Sequence, residues 1–284
     1  MLTDSRLYSF LDSAQGIAVH FFDGQKLVHD LAITHNLRGD GFAFFRDSVL
    51  GAIPLISFLK SGESLGLYLD SSEPFFRLKI ETNFAGFVRT LLIPEEFETF
   101  PDKITGTTRV TKLFPHGKTP YTSVVSFHEE QSNNVFNKLI EESYQANAKA
   151  VVSRHSDQSL LIHKLPKLNV NSELKDGTLS LERYMATHED FFDKIFQQNL
   201  SSVEHVVKPF EKKGFAYLSS RHVEFYCPCS LERMQDNLRM LFAQDPEALF
   251  AGKQTLEAKC DYCKKTYEID RDDLKAPFTK DPIN

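Results

Sequence analysis

There is no tryptophan in this 284-residue sequence, and there are only four cysteines, none of them before position 227. So thin a supply excludes a disulfide framework spread along the chain, the usual device of small secreted domains. Basic charge is also short. Lys and Arg number 33 against 39 Asp and Glu, for a net charge of −6, which argues against a protein that lives on phosphate backbones. No apolar run approaches the roughly 20 residues of a bilayer-spanning helix. The longest, Val49–Leu59, has 11 residues and is bracketed by Asp47 and Lys60. The first residues carry Asp4, Arg6 and Asp12 and no stretch of signal-peptide length. A soluble, cytoplasmic protein without membrane association is expected.

Two common enzyme signatures are missing too. No Gly-x-x-x-x-Gly-Lys-Ser/Thr loop is present to cradle phosphates, and none of the ten histidines falls in a His-Glu-x-x-His arrangement. Nothing indicates an ATPase or a metalloprotease, and no catalytic residue is assigned.

What is present is ordinary globular composition, 41% hydrophobic and 25% charged, with an unusual 25 phenylalanines. Residues 1–171 read as one α+β domain on an antiparallel sheet. Ile17–Phe22 and Leu27–Ile33 suggest a hairpin around Asp23-Gly24. Phe42–Lys60 suggests a helix interrupted by Pro54. Strands are expected at Ser64–Leu69, Phe75–Glu81, Phe84–Ile93, Thr107–Phe114 and Tyr121–His128. Ser132 is placed to cap a helix to about Ala148, before closing strands at Val151–Val152 and Leu160–Leu165.

Residues 172–226 read as a helix-rich linker. After a turn at Asp176-Gly177, the apolar residues Leu181, Tyr184, Met185, Phe191, Phe192, Ile195 and Phe196 fall on one broad helical face with His188. A shorter helix follows over Ser202–Lys213, with Pro209 inside it. Either the pair packs permanently on the first domain, or its apolar face can be uncovered.

Residues 227–284 hold every cysteine. Ser230 is placed to cap a helix to about Phe242, Asp245-Pro246 to open a short one, and Gly252 to stop it. Thr255–Lys259 and Thr266–Ile269 suggest a hairpin turning through Cys260-Asp261-Tyr262-Cys263. So small a module needs a metal or the neighbouring linker to fold.

The spacing is Cys227-Pro228-Cys229, 30 residues, then Cys260-x-x-Cys263. Two close pairs of thiolates suit one tetrahedral Zn²⁺ per chain. The one-residue spacer of the first pair is unlike ordinary zinc ribbons. With the metal gone each pair stays within reach of itself, so a strong oxidant would make two local disulfides, Cys227–Cys229 and Cys260–Cys263. The first would be strained, and strained disulfides are the labile, regulatory ones. Metal loss should unfold the tail.

The run Val223-Glu224-Phe225-Tyr226-Cys227-Pro228-Cys229-Ser230, followed by Cys260-Asp261-Tyr262-Cys263 before Tyr267, resembles the switch of the 33-kilodalton heat-shock chaperones. Upstream, Tyr121-Thr122-Ser123-Val124-Val125 looks like that family's Tyr-Gln-Gly-Ile-Val segment, with Ser123 at a usual glycine. Leu160–Pro166 is similar to its Leu-Leu-Val-Gln-x-Leu-Pro stretch, without the preceding glycine pair. The resemblance implies an α+β domain, a helical linker and a four-cysteine zinc module. It also implies an ATP-independent holdase for unfolding polypeptides, inactive when reduced and zinc-bound. Oxidative stress would activate it with dimerisation, and ATP-dependent foldase chaperones would then receive its clients.

Three rivals share the cysteine pattern. A zinc-ribbon nucleic-acid binder sits poorly with residues 226–270, where six Lys and Arg meet eight Asp and Glu. A thiol-disulfide oxidoreductase would place its Cys-x-x-Cys at a helix N-terminus, not in a turn between strands. A structural zinc site in an interaction protein differs from the switch only in what oxidation does.

Overall fold

The structure is a computed structural model that describes residues 2–94, 100, 102–117, 119–166, 179–198, 200, 202–241 and 249–275. It forms two compact units, Met1–Phe225 and Tyr226–Asn284.

The first unit is layered around two antiparallel-rich sheets. Strands β1 (Arg6–Asp12), β2 (Ile17–Asp23), β8 (Ala148–Val152), β9 (Gln158–Lys164) and β10 (Ala216–His222) form one, in the order β10-β1-β2-β9-β8. The second sheet contains β3 (Ser64–Glu73), β4 (Phe75–Asn83), β5 (Phe87–Ile93), β6 (Lys103–Leu113), β7 (Tyr121–Gln131) and β11 (Glu224–Phe225), ordered β11-β5-β4-β3-β6-β7. Between them lie α1 (Gln25–His35), α2 (Gly39–Ala52) with a 3₁₀ turn Ile53–Phe58, and α3 (Val135–Leu139). Side chains alternate across a strand, and β2 uses both faces. Phe22 joins the core between the sheets, while Ile17, Val19 and Phe21 join a second core on the far side. The cover over that far side is α4 (Leu181–Phe196) and α5 (Val203–Lys212).

The helix α2 and its 3₁₀ turn, Gly39–Phe58, are long and apolar enough to cross a membrane by length and composition alone. Phe45, Val49, Leu50, Ile53, Leu55 and Ile56 are fully buried against the sheets, so burial inside the protein accounts for that composition. Pro54 marks the change from α to 3₁₀, as its missing N–H predicts.

Three expectations are corrected. Leu27–Ile33 is not the second arm of a hairpin; it lies in α1, where Leu27, Val28, Leu31 and His35 are buried at helical spacing. Gly24 serves close packing there, since a Cβ would meet the Phe22 ring at 2.5 Å. The helix from Ser132 stops early: a 3₁₀ turn, α3 and a π-turn over Ile140–Tyr144 end at Gln145, and Ser132 makes no side-chain cap. Val135, Leu139 and Ile140 do face inward. The segment expected to be helix-rich also supplies β10, antiparallel to β1, and β11, parallel to β5. Phe10 faces Tyr217 in the first of these pairings, which gives the strand an aromatic partner.

The long linker helix has the expected bounds. Ser180 accepts from the Arg183 N–H at its start, and Leu181, Tyr184, Phe192, Ile195 and Phe196 are its buried face. His188 stacks on Tyr184 with centroids 4.2 Å apart. Ser202 caps α5 by accepting from His205 N–H, with Pro209 inside the helix as expected. The expected turn at Asp176-Gly177 lies outside the described residues, as does the helix start at Asp245-Pro246.

The second unit contains α6 (Leu231–Leu241), the hairpin β12 (Thr255–Lys259) and β13 (Thr266–Asp270), and a 3₁₀ turn Asp272–Lys275. Its core is slight: Cys260, Tyr267 and Ile269 are buried, with Met234, Leu238 and the other cysteines packed partly against them. No residue of α6 is fully buried, and Leu241 at the end of its apolar stripe is 76% exposed.

Candidate metal centre

Each cysteine pair is placed by short-range structure. Cys227-Pro228-Cys229 runs directly into α6, whose N-cap Ser230 accepts a hydrogen bond from Arg233 N–H at 3.2 Å. Arg233 also donates from Nη1 to the Pro228 carbonyl at 3.0 Å, so the loop is held from its own helix. The second pair turns between β12 and β13. Lys264 N–H donates to Cys260 O at 2.8 Å and Cys260 N–H donates to Lys265 O at 2.9 Å. Lys264 takes a left-handed φ of 61° to close that turn.

These turns bring all four sulfurs within 4.8 Å of one another. Cys227 Sγ is 3.8 Å from Cys260 Sγ, and Cys229 Sγ is 3.2 Å from Cys263 Sγ. Four sulfurs at about 2.3 Å from a tetrahedral zinc lie about 3.8 Å apart. The donor set is all-sulfur and closed, as a structural zinc site requires. The residues fit the ion.

The thiols differ in acidity. Burial pushes Cys227 up to about 12, with hydrogen bonds to neighbouring thiols adding to it. Burial also raises Cys263. For Cys229 burial acts in the same direction, but hydrogen bonds from the Tyr267 hydroxyl and the surrounding thiols outweigh it and bring the group down to about 7. A divalent cation would ionise the whole set, and binding would release protons.

All four cysteines singled out by spacing are thus brought together. Tyr267, which enters the sequence reading only as the end of the family-like run and with no role attached, reaches Cys229 with its hydroxyl; a tyrosine four residues after the last cysteine has no spacing rule to give it one. Upstream, Gly62-Glu63-Ser64-Leu65-Gly66 has the spacing of a hydrolase nucleophile elbow. An elbow needs a strand-to-helix turn at the serine. Here Ser64 opens β3 and pairs with Asn83 and Leu113, so the motif is coincidental.

Comparison with known proteins agrees with this architecture. The 33 kDa chaperonin of Aquifex aeolicus is 23% identical over 266 residues, spanning 84% of this chain and 78% of that protein. That of Agathobacter rectalis is 34% identical over 115 residues, 36% of this chain and 40% of that one. The crystal structure of the 33 kDa chaperonin (heat shock protein 33 homolog) from Thermotoga maritima superposes with a TM-score of 0.73. It covers 96% of this chain and 97% of its own at 15% identity, a likeness of fold. The family model described as Hsp33 protein matches residues 5–270, and the chain belongs to that family of chaperones, which are not enzymes.

Proposed function

We propose that this protein is a redox-regulated, ATP-independent holdase, kept inactive by one Zn²⁺ held on Cys227, Cys229, Cys260 and Cys263. The observation that carries the reading is the four-sulfur cluster within 4.8 Å, in a unit whose core cluster among the described residues is built on buried Cys260, Tyr267 and Ile269. A bound zinc supplies folding energy that such a core cannot. Oxidation removes the ligands. Each pair of thiolates gives up two electrons to form a disulfide, and hypochlorous acid takes those two electrons and one proton from solvent and leaves as chloride and water. The expected bridges are Cys227–Cys229 and Cys260–Cys263, because sequence neighbours stay together once the module opens. In the folded cluster, close sulfur contacts also run across the pairs, Cys227 to Cys260 and Cys229 to Cys263.

Residues 172–226 act in this reading as the linker that the module steadies. The apolar face of α4 and α5, and the sheet face beneath it, become surface for unfolded polypeptides when that cover lifts. Dimerisation on activation, transfer of clients to ATP-dependent foldases and a cytoplasmic setting belong to the same proposal.

The test is to treat reduced, zinc-loaded protein with hypochlorite while following zinc release and the aggregation of an unfolding client together. Zinc loss and aggregation suppression should rise in step. Zinc loss without suppression would leave a structural zinc site in an interaction protein. Suppression by the zinc-bound form would sink the switch.

A further inference from the structure

Tyr267 stands where the two cysteine pairs meet, without being a ligand. It lies on β13 opposite Ala258 and is 7% exposed. Its hydroxyl is 3.2 Å from Cys229 Sγ and 3.1 Å from the Cys229 carbonyl oxygen. The Lys265 ammonium sits 5.0 Å from the centre of its ring. One O–H is therefore shared by two acceptors of a single residue, and it fixes both the sulfur and the backbone that carries it. Cys229 belongs to the loop before α6 and Tyr267 to the hairpin, so the contact joins the two halves of the site. Outer partners of this kind orient ligands and offset their charge, and losing one costs about 10–100-fold in metal affinity.

We propose that Tyr267 is a positioning residue of the four-sulfur site: its hydroxyl holds the Cys229 sulfur in place for the ion and sets how firmly the metal is retained. This rests on the zinc reading above. The ring is needed for packing, because it is one of three buried side chains in the small core; the hydroxyl is needed for the metal. The two contributions separate in Tyr267→Phe, which keeps the ring.

The experiment uses the reduced, full-length chain. Wild type and Tyr267→Phe are titrated with Zn²⁺ against a chelator of known affinity, and both are loaded with Co²⁺ for absorption spectra. Tyr267→Phe should still take up one ion and show unchanged far-ultraviolet dichroism at saturating zinc. Its zinc affinity should fall about tenfold or more, and its sulfur-to-cobalt charge-transfer band should move because one thiolate has lost a hydrogen bond. A purely structural tyrosine would leave that band in place. Wild-type affinity in the variant, or an unmoved band, overturns the role given to Tyr267. A wild-type chain that binds no zinc would overturn the zinc reading itself, so the two failures are distinct.

Discussion

Phe10 on β1 and Phe210 on α5 stack face to face, with ring centroids 4.0 Å apart and planes 5° from parallel. The contact ties the second linker helix to the middle of the first sheet, and Phe21 tilts against the same Phe210 ring at 6.0 Å. Both stacked rings are fully buried. Phe210→Ala should therefore cost about 3–5 kcal/mol, as removal of a core phenylalanine does. The check is urea unfolding of the zinc-loaded protein, where the midpoint should drop; a loss below about 1 kcal/mol would mean that α5 is a loose cover.

Gly86 governs where the linker crosses between sheets. Its φ is 96°, and a Cβ there would meet the His222 carbonyl oxygen at 2.1 Å. The Glu224 N–H donates to the Gly86 carbonyl at 3.0 Å, next to the short pairing of β11 with β5. Gly86→Ala should lower the melting temperature markedly, since left-handed strain and a backbone clash act together. Gly117 also has a positive φ, 67°, but open space around it. Gly117→Ala should cost only about 1–2 kcal/mol, and equal losses in the two variants would refute the crossing argument.

Zinc should bind once per chain, and Cys260→Ser should weaken it sharply because Cys260 is the most buried of the four cysteines. A chelator should then abolish amide protection in β12 and β13 and lower it in α4 and α5, while β3 to β7 of the first unit stay protected. Two metals per chain, or full retention in Cys260→Ser, would contradict the site.

Much of this was legible because the chemistry is local. Cysteines at short spacing announce a site before any fold is known, and the α4 stripe announces a buried face over 16 residues. Leu27–Ile33 misled because Asp-Gly after an apolar strand is also a hairpin signal, and only the packing of Gly24 on Phe22 settles it as a helix start. The strands β10 and β11 carry little pattern of their own; pairing with β1 and β5, more than 130 positions away in sequence, makes them strands.

Two titrating groups on β2 oppose each other. Burial holds Asp23 up at about 6, against the hydrogen bonds it accepts from Gln25 and Gln158. A carboxyl raised in the folded state favours the protonated form, so its contribution is present at low pH and is lost as pH rises from about 4 through 6. Burial, with His163 and Arg221 nearby, holds His20 down at about 4. A histidine kept neutral by the fold loses stability as pH falls from 6.5 through 4. The two largely cancel in wild type. Asp23→Asn should unmask His20, giving a stability that rises by on the order of 2–3 kcal/mol between pH 4 and pH 6.5. A flat profile in that variant would show that His20 does not titrate as its burial demands.

The linker latch gives the sharpest test of regulation. Phe192 is 5% exposed on the α4 face that covers the first sheet, and Asp193 beside it faces solvent. Burying each large side chain of that face is worth about 1.5–3 kcal/mol, which favours the closed form. A carboxylate at position 192 would be buried without a partner, so the helix must lift to hydrate it. Phe192→Asp should loosen the resting fold and give partial aggregation suppression without oxidant. Asp193→Asn, one residue along but on the solvent side, should leave the reduced protein inactive. The assay is client aggregation with reduced, zinc-loaded protein, paired with hydrogen exchange across α4. If Phe192→Asp stays folded, zinc-bound and inactive until oxidised, α4 does not serve as the latch.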